Sequence, residues 1–147
     1  MCGERYRRPE SVLVVVFTDA ADVLLLRRSL PFVFWQSVTG SLQSGESARD
    51  AAVRELREET GLTDEGRLSC SDLSRSFEID PRWRDRYAPG ISRNEEFEWR
   101  YRLRRRPEIR IDNDEHSSWR WRHIDEAIET VWSWTNKEAL QKLRDEL

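Results

Sequence analysis

Lysine, cysteine, histidine and methionine are all scarce in this chain of 147 residues. It has only Lys137 and Lys142, Cys2 and Cys70, two histidines and one methionine. Two cysteines form neither a disulfide framework nor a metal spacing, which excludes a small disulfide-stapled fold. Both are expected as reduced thiols, and neither is an evident nucleophile. His116 and His123 are too few and too isolated to argue for zinc; His123 reads as packing and His116 as a group standing behind a site. No apolar run approaches the ~18 residues that suggest a membrane helix. The first residues, MCGERYRRPES, lack the apolar core of a secretory leader. The expectation is a cytoplasmic protein that meets no membrane. With lysine so rare, the positive charge is carried by arginine, which suits phosphate contacts; genome composition produces the same skew. The net charge of −3 gives no bulk attraction to nucleic acid. The length suits a single domain over residues 1–147 with one good core.

Hydrophobic patterning sets the order of elements. SVLVVVFT at 11–18 is a continuous β-branched run, the mark of a strand buried on both faces. DAAD at 19–22 is a turn, and VLLLRR at 23–28 is a second strand that forms a hairpin with the first. Residues 30–35 read as a loop around Pro31, and 36–40 as a short extended piece. A strand is expected within 68–79, ending near Pro81. NEEFEWRYRLRRR at 94–106 alternates through Phe97, Trp99, Tyr101 and Leu103, a strand with one wet face. WRWRHI at 119–124 alternates again, with Trp119 and Trp121 taken as core. Asp125 is expected to cap a short helix at 126–131, and Thr135 or Asn136 a final helix to about 147. Strands flanking one helix, with further helices closing the chain, make an α+β protein: an α/β/α sandwich around a mixed sheet.

One stretch carries chemistry. GSLQSGESARDAAVRELREETGL, residues 40–62, opens with glycines and continues into a helix predicted over 47–60. Ser47 caps it, Asp50 sits in its first turn where negative charge suits the helix dipole, and Gly61 stops it. Glu55, Glu58 and Glu59 stand at i, i+3 and i+4 and project from one face. A plain acidic run is usually just a solvated face. Three carboxylates packed this closely repel unless a hard divalent cation joins them, and oxygen ligands suit Mg²⁺ or Mn²⁺. Gly40 and Gly45 let the preceding loop bring its carbonyls near such an ion. Arg54, planar with five donors, is placed to tie Glu46 and fix the loop against the helix.

Gly40, Glu46, Arg54-Glu55-Leu56, Glu58-Glu59 and Gly61-Leu62 together resemble the signature of the Nudix hydrolases, G-x5-E-x7-R-E-U-x-E-E-x-G-U with U apolar. Every constrained position is filled. The resemblance implies a Nudix fold with its loop-helix-loop site, Glu46 and Gly61 being structural, and hydrolysis of a phosphoanhydride. It adds a late glutamate ligand, Glu115, in the turn NDEH at 113–116. The expected metal set is Gly40 (carbonyl), Glu55, Glu58, Glu59 and Glu115. Glu55, Glu58 and Glu115 are the candidate catalytic carboxylates, with Arg54 beside them, and the base is either Glu115 or Glu55.

Outside that stretch, YRRP at 6–9, FWQSVTG at 34–40, RYAPG at 86–90, RNEE at 93–96 and SWTN at 133–136 resemble one branch of the family, the bacterial dihydroneopterin triphosphate pyrophosphatases of folate biosynthesis. Arg7 stands where that branch suggests lysine, and DPRW at 80–83 is less apolar than expected. A pterin triphosphate needs cations for its phosphates, an aromatic face for its ring and polar groups for its edge. Arg7, Arg8 and Arg28 are candidates for the first role. Trp35, Phe77 and Trp134 are candidates for the second, and Thr39, Ser133 and Asn136 for the third. Other nucleoside triphosphates and dinucleoside polyphosphates remain alternative small-molecule substrates. A silent binding module is a further alternative, disfavoured because all four glutamates of the signature are present.

Overall fold

A computed structural model describes residues 6–147; Cys2 lies outside the described residues. The elements run β1 (Glu10–Thr18), β2 (Asp22–Arg28), β3 (Phe34–Gln36), β4 (Val38–Ser41), α1 (Ala48–Thr60), β5 (Arg67–Glu78), β6 (Arg93–Leu103), β7 (His116–His123), α2 (Ile124–Thr130) and α3 (Trp134–Glu146). A short 3-10 turn covers Pro81–Arg86, where no element was expected. Among the described residues no helix is long and apolar enough to cross a membrane.

β1 is the axis of the sheet. It pairs in parallel with β6 along its whole length, Val12 opposite Phe97. Its other edge meets β2 at Phe17 and Val23, then β4, with Val12 opposite Gly40. β2 pairs with β7 on one side and β3 on the other, and β5 closes the far edge against β6. The expected β1–β2 hairpin therefore splays, and β3 and β4 fill the wedge between its arms. Residues 34–36, read as loop running into an extended piece, are a strand because aromatic residues there pair with β2 and Phe34 is buried.

Alternation along β1 divides the core. Val12, Val14 and Val16 meet Ala51, Ala52 and Leu56 of α1 on one face. Leu13, Val15 and Phe17 meet Ile128 of α2 and Ala139, Leu140 and Leu143 of α3 on the other. This is the expected α/β/α sandwich. It also explains why β1 is an unbroken apolar run: both its faces are covered.

Three local expectations change. Near the start of β6 the face expected to be wet is buried, with Asn94, Glu96 and Glu98 at 1%, 7% and 1% exposure, while Arg93 and Glu95 on the other face are exposed. The period of two shows which residues share a face, and α3 then covers that face. Glu98 is paired there with Arg75 at 2.7 Å. α2 begins at Ile124, capped by exposed His123, whose Nδ1 accepts from the Asp125 amide at 3.3 Å. Burial of Ile124 draws the helix start forward, so Asp125 lies in the first turn and His123 is not packed inside. α3 begins at Trp134, because Ser133 Oγ accepts from the Asn136 amide at 3.1 Å. Thr135 and Asn136 are buried in its first turn.

Candidate active site

Local sequence fixes α1. Ser47 Oγ accepts from the Asp50 amide at 3.1 Å, and Gly61, at φ 78°, returns its N–H to Arg57 O at 2.9 Å. Gly61 is needed there because few other residues adopt that left-handed conformation. On a helix, Glu59 lies about 40° round from Glu55 and Glu58 about 60° the other way. That offset separates the three carboxylates. Glu55 and Glu59 are drawn inward, with 9% and 1% exposure, while Glu58 stays at the exposed rim.

Arg54 joins the loop to the helix as expected. Its Nε and Nη2 hold the Glu46 carboxylate at 2.9 and 2.8 Å, Nη2 also donates to Ser41 O at 3.0 Å, and Nη1 donates to Glu55. Glu58 Oε2 is 3.5 Å from the same guanidinium. The Arg54 hydrogen bonds hold the Glu46 carboxyl below its usual range, and the Glu46 bond in turn raises Arg54. Arg8 serves the same loop, donating to Gln43 O and Glu46 O at 3.1 Å each, and so does not join Arg7 and Arg28. Gly40 leaves room for the Glu55 carboxylate, which a Cβ there would displace.

Glu59 is the most deeply buried of the three carboxylates on α1. Neither carboxylate oxygen has a hydrogen bond. Burial, with Glu55 beside it, pushes its proton affinity well above the ordinary carboxylate range. Glu115 and His116, at the start of β7, offer ligand atoms that lie with one from Glu59 within 4.8 Å of one another. Burial also raises Glu115, partly offset by Arg28. His116 Nε2 is 3.8 Å from Glu59 and 3.2 Å from Gln36 Nε2. Burial, reinforced by Arg28, lowers His116 to about 4, so the ring is neutral near pH 7 and leaves Glu59 uncompensated. Two buried, unpaired carboxylate oxygens beside further carboxylates are the donor set a hard divalent cation satisfies.

From these acids a cleft of about 560 Å³ runs toward the N-terminus of α3. Arg7, Arg28, Thr39, Gly40, Arg54, Glu55, Glu115, Phe77, Ser133 and Asn136 all line it, as does Trp134, which is 53% exposed. Burial lowers the Arg28 guanidinium from its usual range, although Glu115 pulls it back. Several expected contacts are already engaged. Thr39 Oγ1 donates to Val12 O at 2.8 Å. Asn136 accepts from Ser37 N at 2.8 Å and donates to Ser37 Oγ at 3.0 Å, which pins α3 to the β3–β4 junction. Trp35 is not in the cleft. Strand alternation turns it to the opposite face, against the α2–α3 core, and puts Phe34 in the cleft instead. Trp121 is core, but Trp119 is 38% exposed.

Two groups were not anticipated. Phe32, Phe34, Trp83 and Trp132 form one aromatic cluster, with ring centroids 4.7 to 6.0 Å apart. It brings together three segments that no sequence spacing connects. Asn94 and Glu96, with Ser11 and Thr135, line the cleft beside α3. The Asn94 Nδ2 donates to Ser11 Oγ at 2.8 Å, but its Oδ1 has no partner, and neither does Glu96 Oε1. Burial pushes the Glu96 carboxyl up to about 7, against the Thr135 hydroxyl and Arg75, which favour its anion. The available signal was the RNEE run at 93–96, part of the resemblance, to which no role in the site had been attached.

The chain matches the model of the NUDIX domain over residues 7–143 and belongs to that family. It is 40% identical, over 141 residues and 93% of each chain, to the dihydroneopterin triphosphate diphosphatase of Escherichia coli K12. It is 37% identical over 142 residues to the enzyme of that name from Haemophilus influenzae, covering 94% of this chain and 89% of the relative. The solved structure of the E. coli dihydroneopterin triphosphate pyrophosphohydrolase superposes with a TM-score of 0.87 at 37% identity, covering 93% of this chain and 95% of that one.

Proposed function

We propose that this chain hydrolyses 7,8-dihydroneopterin triphosphate to the monophosphate and pyrophosphate, as a step in folate biosynthesis in the cytoplasm. The observation that carries the reading is the form of the cleft. Glu55 and Glu115 line it beside Glu59, whose two carboxylate oxygens are unpaired, and aromatic rings with the buried acceptors of Asn94 and Glu96 line it as well. The likeness to the two dihydroneopterin triphosphate diphosphatases along nearly the whole chain supports the same substrate.

In this reading Glu55, Glu59, Glu115 and the Gly40 carbonyl hold Mg²⁺, with Mn²⁺ as a substitute, and Glu58 joins from the rim. When bound, the cation neutralises phosphate charge and lowers the pKa of coordinated water. Arg7 and Arg28 face the phosphates and stabilise the departing pyrophosphate. Of the two candidate bases we favour Glu115. Glu55 is committed to Arg54, whereas Glu115 is open to the cleft and burial has raised its affinity for a proton. The ring lies against Phe34, Phe77 and Trp134, with Ser133 and Asn136 beside it.

The test is pyrophosphate release, with and without Mg²⁺, from dihydroneopterin triphosphate, dATP, GTP and a diadenosine polyphosphate. A pterin preference of about a hundredfold in kcat/KM is expected from a site that hydrogen-bonds the ring. A flat or nucleotide-favouring profile removes the pterin assignment and leaves the hydrolytic site.

A further inference from the structure

RYAPG at 86–90 belongs to the resemblance, yet no role in the site attaches to it. Its first residue, Arg86, ends the 3-10 turn Pro81–Arg86, which buries none of its residues. The turn is nevertheless held in place. Trp83 packs in the aromatic cluster, 6.0 Å from Phe34 and 5.7 Å from Trp132, and Arg86 O accepts from Arg7 N at 2.8 Å. Arg7 and Tyr87, on either side of that bond, both line the cleft. The turn carries three arginines. Asp80 holds Arg82 at 2.8 Å and Glu78 holds Arg84 at 2.9 Å, but among the described residues no carboxylate pairs with Arg86. The same contrast recurs at two other segments. Arg8 is paired with Glu10 at 2.6 Å and its neighbour Arg7 is not paired; Arg27 donates to Ser117 Oγ at 2.7 Å, while Arg28 Nε is buried with no hydrogen bond. Arg86 and Arg7 both lie close enough to Arg28 to deepen the lowering of its proton affinity that burial begins. Three segments far apart in sequence therefore bring one uncommitted guanidinium each to the Glu115 side of the cleft. Glu115 offsets part of that charge, but in the proposed metal site it is committed to the cation. Like charges gathered in a cleft without partners are the complement of a polyanion.

We infer that Arg86 is a further catalytic residue, a third guanidinium that grips the departing pyrophosphate from the β5–β6 side of the cleft. The inference rests on the reading that the cleft releases pyrophosphate, and adds to it a residue from a segment with no other part in the site. In the reaction the water oxygen bonds to the attacked phosphorus and its proton goes to the base. The anhydride P–O bond breaks, and its electron pair stays on the pyrophosphate oxygen. Charge that develops there is stabilised most by donors already in position. Arg28 is half-buried and supplies a fixed donor, whereas Arg86 is exposed and reaches in from the rim. The planar fork of an arginine binds phosphate oxygens two at a time, which a lysine does not. Because Arg86 has no partner in the folded chain, its removal breaks no contact that holds the turn.

The experiment measures inhibition by inorganic pyrophosphate and by unphosphorylated dihydroneopterin, at fixed Mg²⁺, in the wild type, Arg86→Ala, Arg86→Lys and Arg84→Ala. In Arg86→Ala the inhibition constant for pyrophosphate should rise on the order of tenfold, with a loss in kcat/KM at least as large. Inhibition by dihydroneopterin should stay within about twofold, and the melting temperature should not fall, since no partner is lost. Arg86→Lys should recover part of the pyrophosphate affinity, because it keeps the charge and loses the fork. Arg84→Ala, from the same turn, should bind pyrophosphate as the wild type does. An unchanged pyrophosphate constant in Arg86→Ala would overturn the inference. So would equal losses for pyrophosphate and dihydroneopterin, which mean a collapsed turn, or an equal rise in Arg84→Ala, which means a general effect of charge. A wild type that prefers nucleotides, with pyrophosphate still bound less tightly in Arg86→Ala alone, removes the pterin reading and keeps the role of Arg86. A wild type that prefers the pterin, with pyrophosphate bound equally in all four proteins, does the reverse.

Discussion

Replacing Glu96 by Gln should stabilise the protein, and by an amount that depends on pH. The carboxyl titrates near 7 in the folded chain against an ordinary 4.5, mainly because it is buried. Below about 4.5 it is protonated whether the chain is folded or not, and costs nothing. As pH rises from there to 7, the unfolded chain releases the proton and the folded chain keeps it, so stability falls. Above 7 the folded form carries a buried anion and the full penalty applies. The 2.5 units between 4.5 and 7, at 1.36 kcal/mol each, come to about 3 kcal/mol. At pH 5 the same linkage gives less than about 1 kcal/mol. Glutamine mimics the protonated form and has no such titration. Thermal unfolding followed by circular dichroism, without metal or substrate, is the assay. For a chain of this size the variant should melt on the order of 10 °C above the wild type at pH 8 and within a few degrees of it at pH 5. A gap of equal size at both values, or a variant less stable at pH 8, would refute the reasoning. If it holds, a buried carboxylate lining the cleft is kept at a cost in stability, as functional sites commonly are.

Glu59→Gln should cut turnover by roughly 10³-fold or more while the fold survives, because it removes a carboxylate whose two oxygens have no other use; near-normal kcat would sink the metal assignment. Titrating Mg²⁺ into the wild type should raise its melting temperature, by about 2.7 kcal/mol of linkage at a hundred times Kd, and the same titration should leave Glu59→Gln unmoved. Gly40→Ala forces a methyl onto the Glu55 carboxylate, so kcat should drop by about 10²-fold with melting changed little, and an active alanine variant would show that Glu55 can stand elsewhere. Arg54→Lys keeps the charge but loses the paired contact with Glu46, and should cost about 2 kcal/mol in chemical denaturation together with most of the activity.

The loop-helix-loop was almost fully legible because its logic is local. Ser47, Gly61 and the Arg54–Glu46 pair act over a few residues, so their spacing in the chain is their geometry. The inward turn of Glu59 was not separable from the outward turn of Glu58, since helix phase alone does not say where the sheet lies. Glu115 was proposed only through resemblance, because nothing near it in sequence points to α1. The aromatic part of the cleft was read least well. Trp35 and Phe34 are neighbours facing opposite ways, and choosing between them requires the register of β3 on β2. The aromatic cluster joins residues 32–34, Trp83 and Trp132, a contact of tertiary origin. Asn94 and Glu96 looked like solvent-facing positions until α3 was placed over them. Caps at His123 and Ser133 shifted by two or three residues for a similar reason: buried Ile124 and Asn136 set where each helix begins.

The two ends of the cleft share one rail. Gly40 and Phe97 both face Val12, from opposite edges of β1, and Glu96 adjoins Phe97. Two backbone ladders therefore separate β4, which carries Gly40, from β6, which carries Glu96, a span of about 9.5 Å. That span is a gauge made of peptide groups. Side-chain replacements on either strand alter the lining of the cleft, but they leave the gauge as it is. A cleft of another width at this point has to come from the loops and the first turn of α3.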